Sequence, residues 1–172
     1  IYANVKKIKE IKKSTNIGIY LNINGEIKTD KIIDYLFGAN KKIYIPRFKN
    51  KVWSFVRFTK NDKLEIGPLG ILQPKRGEKI NSKLLDLVFL PGVAFSKEGF
   101  RIGYGKGVYD KMLNNTKCFK VGLCFDFQLV DDFNTEPHDV KIDNIITEKK
   151  IYNIISWEFK ISKAISTVSL MS

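Results

Sequence analysis

The chain of 172 residues contains few of the side chains on which metal centres often depend. It has one histidine, His138, and two cysteines, Cys118 and Cys124, which are too few ligands at metal spacing for a zinc site. No apolar run approaches the ~18 residues of a membrane helix, and no secretory signal is visible at the start. We therefore expect a cytoplasmic protein with reduced thiols, in which Cys124 lies in the core. We interpret His138 as a surface loop residue.

Two common nucleotide-binding motifs are absent as well. The P-loop pattern GxxxxGK[ST] does not occur, and the glycines of the chain do not have the spacing of the dinucleotide fingerprint. What the chain has in excess is positive charge, with 30 Lys and Arg against 18 Asp and Glu and a formal net charge of +12. Such a balance suits nucleic acid, an anionic membrane or small polyanions. The 44% hydrophobic and 12% aromatic content predicts a globular chain, and the length suits one domain over residues 1–172.

The most informative stretch is residues 87–113, LVFLPGVAFSKEGFRIGYGKGVYDKML. Its opening LVFL predicts a buried strand, which Pro91-Gly92 ends. A turn at residues 97–99 follows. Val108, Met112 and Leu113 have the spacing of a helix. The stretch thus predicts a strand, then a glycine-rich turn, then a helix.

That arrangement suits a phosphate. Gly103, Gly105 and Gly107 carry no Cβ that would hold an anion away from the backbone, and successive N–H groups can converge on it. Arg101 and Lys106 add positive charge. Asp110 is placed where a carboxylate could hold a magnesium ion that bridges phosphate oxygens. We refer to residues 101–110 as the glycine turn.

The rest of the chain predicts an α/β fold with a mostly parallel sheet, since strands and helices alternate. The predicted elements are an amphipathic helix over residues 1–13, a strand over 17–21, a helix from Thr29 or Asp30 to Phe37 closed by Gly38, a strand over 43–45 stopped by Pro46, a hairpin strand over 52–58, a loop over 67–74 that continues to Lys83, and strands over 121–125 and 144–147.

The stretch PGVAFSKEGFRIGYGKGVYDKML resembles the signature of the 5-formyltetrahydrofolate cyclo-ligase family, also called methenyltetrahydrofolate synthetase. Ser96, Ile102 and Val108 depart from the family pattern, which has Asp, Leu and Tyr there. Residues 19–29, 43–47, 121–128 and 136–143 also resemble the family, so that the resemblance spans about residues 17 to 148 in order.

The resemblance implies a three-layer α/β/α fold of the sugar-isomerase and CoA-transferase type (NagB/RpiA/CoA-transferase-like), with a β-hairpin extension. It implies a ligase that uses ATP and Mg²⁺ to convert 5-formyltetrahydrofolate into 5,10-methenyltetrahydrofolate, releasing ADP and phosphate. Asp110 and Asp143 fall on its magnesium positions, and Arg101 and Lys106 would stabilise charge on the transferred phosphoryl group. The residues that would bind ATP are Arg101, Ile102, Gly103, Tyr104, Gly105, Lys106, Gly107, Val108 and Tyr109.

On the folate side the resemblance implies that Leu21 and Glu26 contact the substrate, with Tyr104 as a further contact. Trp53 and Phe55 could line the pterin pocket or belong to the core. We expect a monomer that acts on 5-formyltetrahydrofolate, including polyglutamylated forms, and that binds neither membrane nor nucleic acid. The family begins with a basic helix that reaches ATP, and we expect that helix to precede Ile1.

Two other functions stay open at this point. The chain could bind folate or a nucleotide without turnover. It could also be a basic RNA-binding domain, because residues 51–60, KVWSFVRFTK, alternate aromatic and basic side chains that could stack on bases.

Overall fold

The computed structural model describes residues 1–23, 25–131, 133, 135 and 139–154. The helices are α1 (Tyr2–Val5), α2 (Lys9–Lys13), α3 (Asp30–Gly38) and α4 (Val108–Leu113). Short 3-10 helices cover Pro68–Gly70, Ser82–Leu84 and Asp126–Gln128. The strands are β1 (Asn16–Gly18), β2 (Lys42–Lys49), β3 (Val52–Phe58), β4 (Leu64–Ile66), β5 (Leu72–Pro74), β6 (Leu87–Leu90), β7 (Ala94–Ser96), β8 (Arg101–Ile102), β9 (Phe119–Leu123), β10 (Leu129–Val130), β11 (Asn144–Ile146) and β12 (Ile151–Asn153).

A seven-stranded sheet in the order β12-β11-β9-β6-β1-β2-β3 forms the centre of the fold. The five inner strands pair in parallel, from β11 through β9, β6 and β1 to β2. The edge strands β12 and β3 are antiparallel to their neighbours. The predicted mostly parallel α/β sheet, with a hairpin extending from it, is confirmed.

Strand β6 shows why the sheet lies inside the protein. All four of its residues are fully buried. Leu87 and Phe89 belong to one hydrophobic cluster, while Val88 and Leu90 belong to a second cluster. Because successive side chains of a strand point to opposite faces, the sheet has a core on each side, as expected of parallel strands covered on both faces.

The helices follow the predicted pattern with one difference. The stretch over residues 1–13 forms two short helices instead of one, and Val5, Ile8 and Ile11 are buried against the core as the periodicity predicts. Helix α3 begins after Thr29 and ends at Gly38, as predicted. In the described part of the chain, the longest helix has nine residues, which is too short and too polar to cross a membrane.

Two predicted strand ends and one predicted loop differ from the structure. Strand β2 does not stop at Pro46 but continues to Lys49, paired with β3 alone beyond the end of β1. A proline is tolerated there because no strand on the other side requires its missing N–H. Strand β1 ends at Gly18, before the predicted Leu21. The predicted loop over residues 67–74 contains β5, which pairs with β4 in an antiparallel hairpin.

Candidate active site

A cavity of about 660 Å³ lies at the carboxyl ends of the central strands. Tyr20 and Leu21 follow β1 into it, and Pro91 and Gly92 follow β6. This is where the strand order of open α/β sheets places ligands. The glycine turn, residues 101–110, contributes every one of its residues to the lining.

Two of the three glycines in the glycine turn adopt a backbone conformation that favours glycine. Gly105 and Gly107 have φ values of +71° and +58°, in the left-handed region that residues with a Cβ rarely adopt. Gly107 directly precedes α4, which is only six residues long. Tyr104 is 60% exposed and Lys106 is also exposed, so both side chains can move toward a ligand in the cavity.

Arg101 and Asp110 form an ion pair in the wall of the cavity. Arg101 Nη2 donates to Asp110 Oδ1 at 3.0 Å, and the two side chains are only 6% and 14% exposed. The backbone N–H of Val140 donates to the same carboxylate oxygen at 3.3 Å. The guanidinium of Arg101 also lies 5.4 Å from the ring centre of Tyr109. The pair fixes the first residue of the glycine turn to its last.

One hydrogen-bond donor of Arg101 has no partner among the described residues. Among the described residues, Arg101 Nε is buried and has no hydrogen-bond partner. A buried unpaired donor is costly unless a ligand or water accepts from it. Arg101 therefore suits an anionic oxygen at this edge of the cavity.

The predicted folate contacts lie in the segment that follows β1. Leu21 and Glu26 line the cavity, and Glu26 Oε2 accepts a hydrogen bond from Ile23 N at 3.0 Å. Burial raises the pKa of the Glu26 carboxyl, against the opposing effect of the hydrogen bond from Ile23. Burial also raises the pKa of Tyr109 and that of Tyr20, and the charge of Glu26 adds to both shifts. A carboxylate and two neutral phenols thus share this part of the cavity.

The two predicted magnesium ligands line two different cavities that lie side by side. Asp110 lines the main cavity, whereas Asp143 lines a second cavity of about 340 Å³. Asp143 Oδ2 accepts from the backbone N–H of Lys120 at 2.7 Å. Asp139 lines both cavities. In the described ranges, no group of three or more His, Cys, Asp or Glu side chains is placed to hold a metal.

The aromatic stretch over residues 51–60 does not form a surface for base stacking. Phe55 is fully buried and Phe58 is 8% exposed. Trp53 lines the main cavity and packs on Phe48 with ring centres 5.3 Å apart. Of the two aromatics weighed for the pterin pocket, Trp53 is in the cavity wall and Phe55 is core.

Sequence reasoning missed one wall of the cavity. Leu69 and Ile71, in the connection of the β4–β5 hairpin, line it. The signal available was a glycine- and proline-flanked apolar stretch that looked like an ordinary loop.

The prediction for His138 lies outside the described residues. Both cysteines are buried and free, as predicted for Cys124.

Comparisons with known proteins agree on one family. The model of the 5-formyltetrahydrofolate cyclo-ligase family matches residues 1–148. The 5-formyltetrahydrofolate cyclo-ligase of Haemophilus influenzae is 35% identical over 145 residues, with 80% of this chain and 78% of the relative covered. The mouse 5-formyltetrahydrofolate cyclo-ligase is 32% identical over 154 residues, which cover 81% of this chain and 76% of the relative.

The solved structures show the same likeness. The 5,10-methenyltetrahydrofolate synthetase of Aquifex aeolicus superposes with a TM-score of 0.79 at 32% identity, covering 90% of this chain and 79% of the other. A synthetase of Mycoplasma pneumoniae superposes with a TM-score of 0.64 at 22% identity, covering 88% and 80%. At that identity the second likeness concerns the fold alone.

Proposed function

The chain belongs to the 5-formyltetrahydrofolate cyclo-ligase family, and from that premise we propose that it converts 5-formyltetrahydrofolate to 5,10-methenyltetrahydrofolate at the expense of ATP in the 660 Å³ cavity. The proposal depends on one observation: the predicted phosphate-binding residues and the predicted folate-binding residues line the same cavity. The glycine turn lines it, and so do Leu21 and Glu26. One space can therefore hold the phosphates and the folate in contact.

The chemistry explains why a phosphate site and a folate site must meet. The formyl oxygen is a poor leaving group. When that oxygen attacks the γ-phosphorus of ATP, ADP departs and the oxygen becomes part of a phosphate ester. Folate N10 then attacks the activated formyl carbon, N10 loses its proton, and the carbon–oxygen bond breaks to release phosphate. The protein chiefly positions the groups and stabilises charge.

On the nucleotide side, the proposed phosphate ligands are the backbone N–H groups of residues 102–109, with Lys106 as a mobile charge. Arg101 is held more firmly, since its side chain is 6% exposed and paired with Asp110. Its Nε has no hydrogen-bond partner among the described residues, and a small shift of the buried side chain would let it donate to a phosphate oxygen. In this proposal the mobile Lys106 follows the phosphoryl group as it is transferred, and the fixed Arg101 stabilises charge at one position in the site.

For magnesium, the residues present fit the chemistry of the ion, which takes oxygen ligands and needs only one or two carboxylates beside phosphates and waters. Asp110 is the proposed ligand within the main cavity. Asp143, in the neighbouring cavity, is the proposed second carboxylate, with Asp139 between the two cavities. The ion would neutralise charge on the phosphate oxygens.

On the folate side, the proposed contacts are Leu21, Glu26 and Tyr104. A carboxylate suits the amino-pyrimidinone edge of a pterin, which presents paired N–H donors. Trp53 and the hairpin residues Leu69 and Ile71 supply apolar surface for the rings. We further propose that the enzyme acts as a monomer in the cytoplasm, on polyglutamylated folate as well, in line with its buried free thiols and net charge of +12.

The test is a spectroscopic assay. The protein is mixed with 5-formyltetrahydrofolate, ATP and magnesium, and the near-ultraviolet band of the methenyl product is followed. Growth of the band that requires both ATP and magnesium is expected. A flat trace from folded protein that binds both ligands would instead support binding without turnover.

A further inference from the structure

Gln128 joins its own 3-10 helix to the segment that follows β6. It ends the 3-10 helix Asp126–Gln128 and lies outside the cavity lining. Its Oε1 accepts from Phe125 N at 2.8 Å. Its Nε2 donates to the carbonyl oxygens of Gly92 at 3.2 Å and Val93 at 2.9 Å. One amide thus uses its acceptor on its own helix and its donors on the segment that leaves β6.

The segment that Gln128 holds leads directly to the glycine turn. Gly92 lines the cavity, and Val93 N donates to Ile102 O at 2.7 Å. Val93 is followed by β7, which pairs with β8, whose first residue is Arg101. A shift of the Gly92 and Val93 carbonyls would therefore move the strand that begins the glycine turn.

The 3-10 helix that ends at Gln128 is also held by hydrogen bonds to Asp126, so Gln128 connects two fixed parts of the structure. The carboxylate of Asp126 accepts hydrogen bonds from Tyr152 Oη at 2.8 Å, Lys149 Nζ at 2.8 Å and Thr147 Oγ1 at 3.2 Å. Tyr152 lies in the edge strand β12, and Thr147 and Lys149 lie in the connection between β11 and β12. The chain of contacts runs from the sheet edge through Asp126 and Gln128 to the glycine turn.

The chain offers a matched comparison in a second glutamine. Gln73 makes the same kind of bonds, accepting from Phe48 N at 2.8 Å and donating to Phe48 O and to Glu65 Oε1. It joins β2 to the β4–β5 hairpin, whose connection carries Leu69 and Ile71 into the cavity. Gln128 thus bonds to the segment that leads to the glycine turn. Gln73 bonds to the hairpin that supplies the apolar residues Leu69 and Ile71 to the cavity wall.

We propose that Gln128 is a positioning residue for nucleotide binding: through the carbonyls of Gly92 and Val93 its amide sets the position of the glycine turn. The proposal rests on the proposed function, since it takes the glycine turn as the phosphate site. It assigns Gln128 a larger effect on the binding of ATP than on the binding of the folate.

The experiment measures binding of MgATP and of 5-formyltetrahydrofolate separately, by calorimetry, in the full chain. Gln128→Met removes all three hydrogen bonds at similar length. Gln128→Glu keeps an acceptor for Phe125 N and removes both donors to Gly92 and Val93. Each is expected to raise the Kd of MgATP about tenfold, because a displaced glycine turn would lose roughly one hydrogen bond to a charged phosphate oxygen. The Kd of the folate is expected to rise less than that of MgATP, because Tyr104 is the one proposed folate contact that lies in the glycine turn.

Gln73→Met is the control and is expected to weaken the folate while leaving MgATP unchanged. The proposal is overturned if Gln128→Glu binds MgATP like wild type, if both ligands weaken equally, or if both Gln128 variants fail to fold, which would make the role a global one. Turnover of the wild type is measured beside binding. If wild type binds MgATP but forms no product, the proposed reaction is wrong. The effect of the Gln128 variants on the Kd of MgATP still tests the role of Gln128 in that case.

Discussion

The ion pair between Arg101 and Asp110 makes a quantitative prediction about stability. The side chains are 6% and 14% exposed, so removing the arginine leaves a carboxylate largely out of water. Breaking a buried pair in this way costs about 3–5 kcal/mol. We expect the lower end, about 3 kcal/mol for Arg101→Met, because Val140 N still donates to Asp110. For a chain of this size each kcal/mol shifts Tm by roughly 2–4 °C, so a loss of about 6–12 °C is expected.

The assay is denaturant and thermal unfolding of four proteins: wild type, Arg101→Met, Asp110→Asn and the double variant. The double variant should be less destabilised than the sum of the singles by about 1–3 kcal/mol, since it leaves no unpaired charge. Lys60→Met is the matched control. Lys60 pairs with Asp34 at 2.7 Å, but the side chains are 58% and 67% exposed, so a loss of about 0–1 kcal/mol is expected. Equal losses for Arg101→Met and Lys60→Met would refute the reasoning that burial makes the Arg101 pair costly to break.

Four further predictions concern the site and the thiols. Lys106→Ala should raise the KM for ATP more than that for folate, and an equal rise in both would point to damaged packing. Asp110→Asn should lose turnover and magnesium dependence while the fold survives, and unchanged turnover would contradict the metal assignment. Burial raises the pKa of Glu26 above its ordinary 4.5, so the native state keeps the proton in the window just above that value and wild type loses stability as pH rises through it. Glu26→Gln should not show this dependence of stability on pH, which unfolding measurements at a series of pH values would test. An unchanged dependence would mean that a group other than Glu26 causes it. Burial raises the pKa of the Cys118 thiol and that of Cys124, the latter to about 12, so both thiols should resist a thiol reagent until the protein is unfolded, and rapid native labelling would contradict their burial.

Local sequence determined the elements whose signals are contained in a few neighbouring residues. The LVFL run gave a fully buried strand because four consecutive apolar side chains can be covered on both faces only inside a parallel sheet. Gly105 and Gly107 have positive φ, which residues with a Cβ rarely adopt in a tight turn. The family resemblance, carried by the same stretch, is confirmed by the comparisons over residues 1–148.

Strand ends were predicted less well because they depend on neighbours far away in the chain. Pro46 would interrupt a central strand, but β1 has already ended beside it, and only β3 pairs with β2 at that point. Strand β5 looked like loop because its pairing partner β4 and the anchor at Phe48 could not be read from its own composition.

The sequence by itself determined which chemical groups this protein has: a glycine-rich turn with Arg101, Lys106 and Asp110, and few histidines and cysteines for any other chemistry. Only the tertiary structure decided which of them meet. It paired Arg101 with Asp110, placed Asp143 in a separate cavity, and brought Leu21, Glu26 and the β4–β5 hairpin to the glycine turn. The physical reason is that spacing fixes the direction of a side chain only within a strand or helix, whereas the distance between elements is set by the packing of the sheet and its two cores.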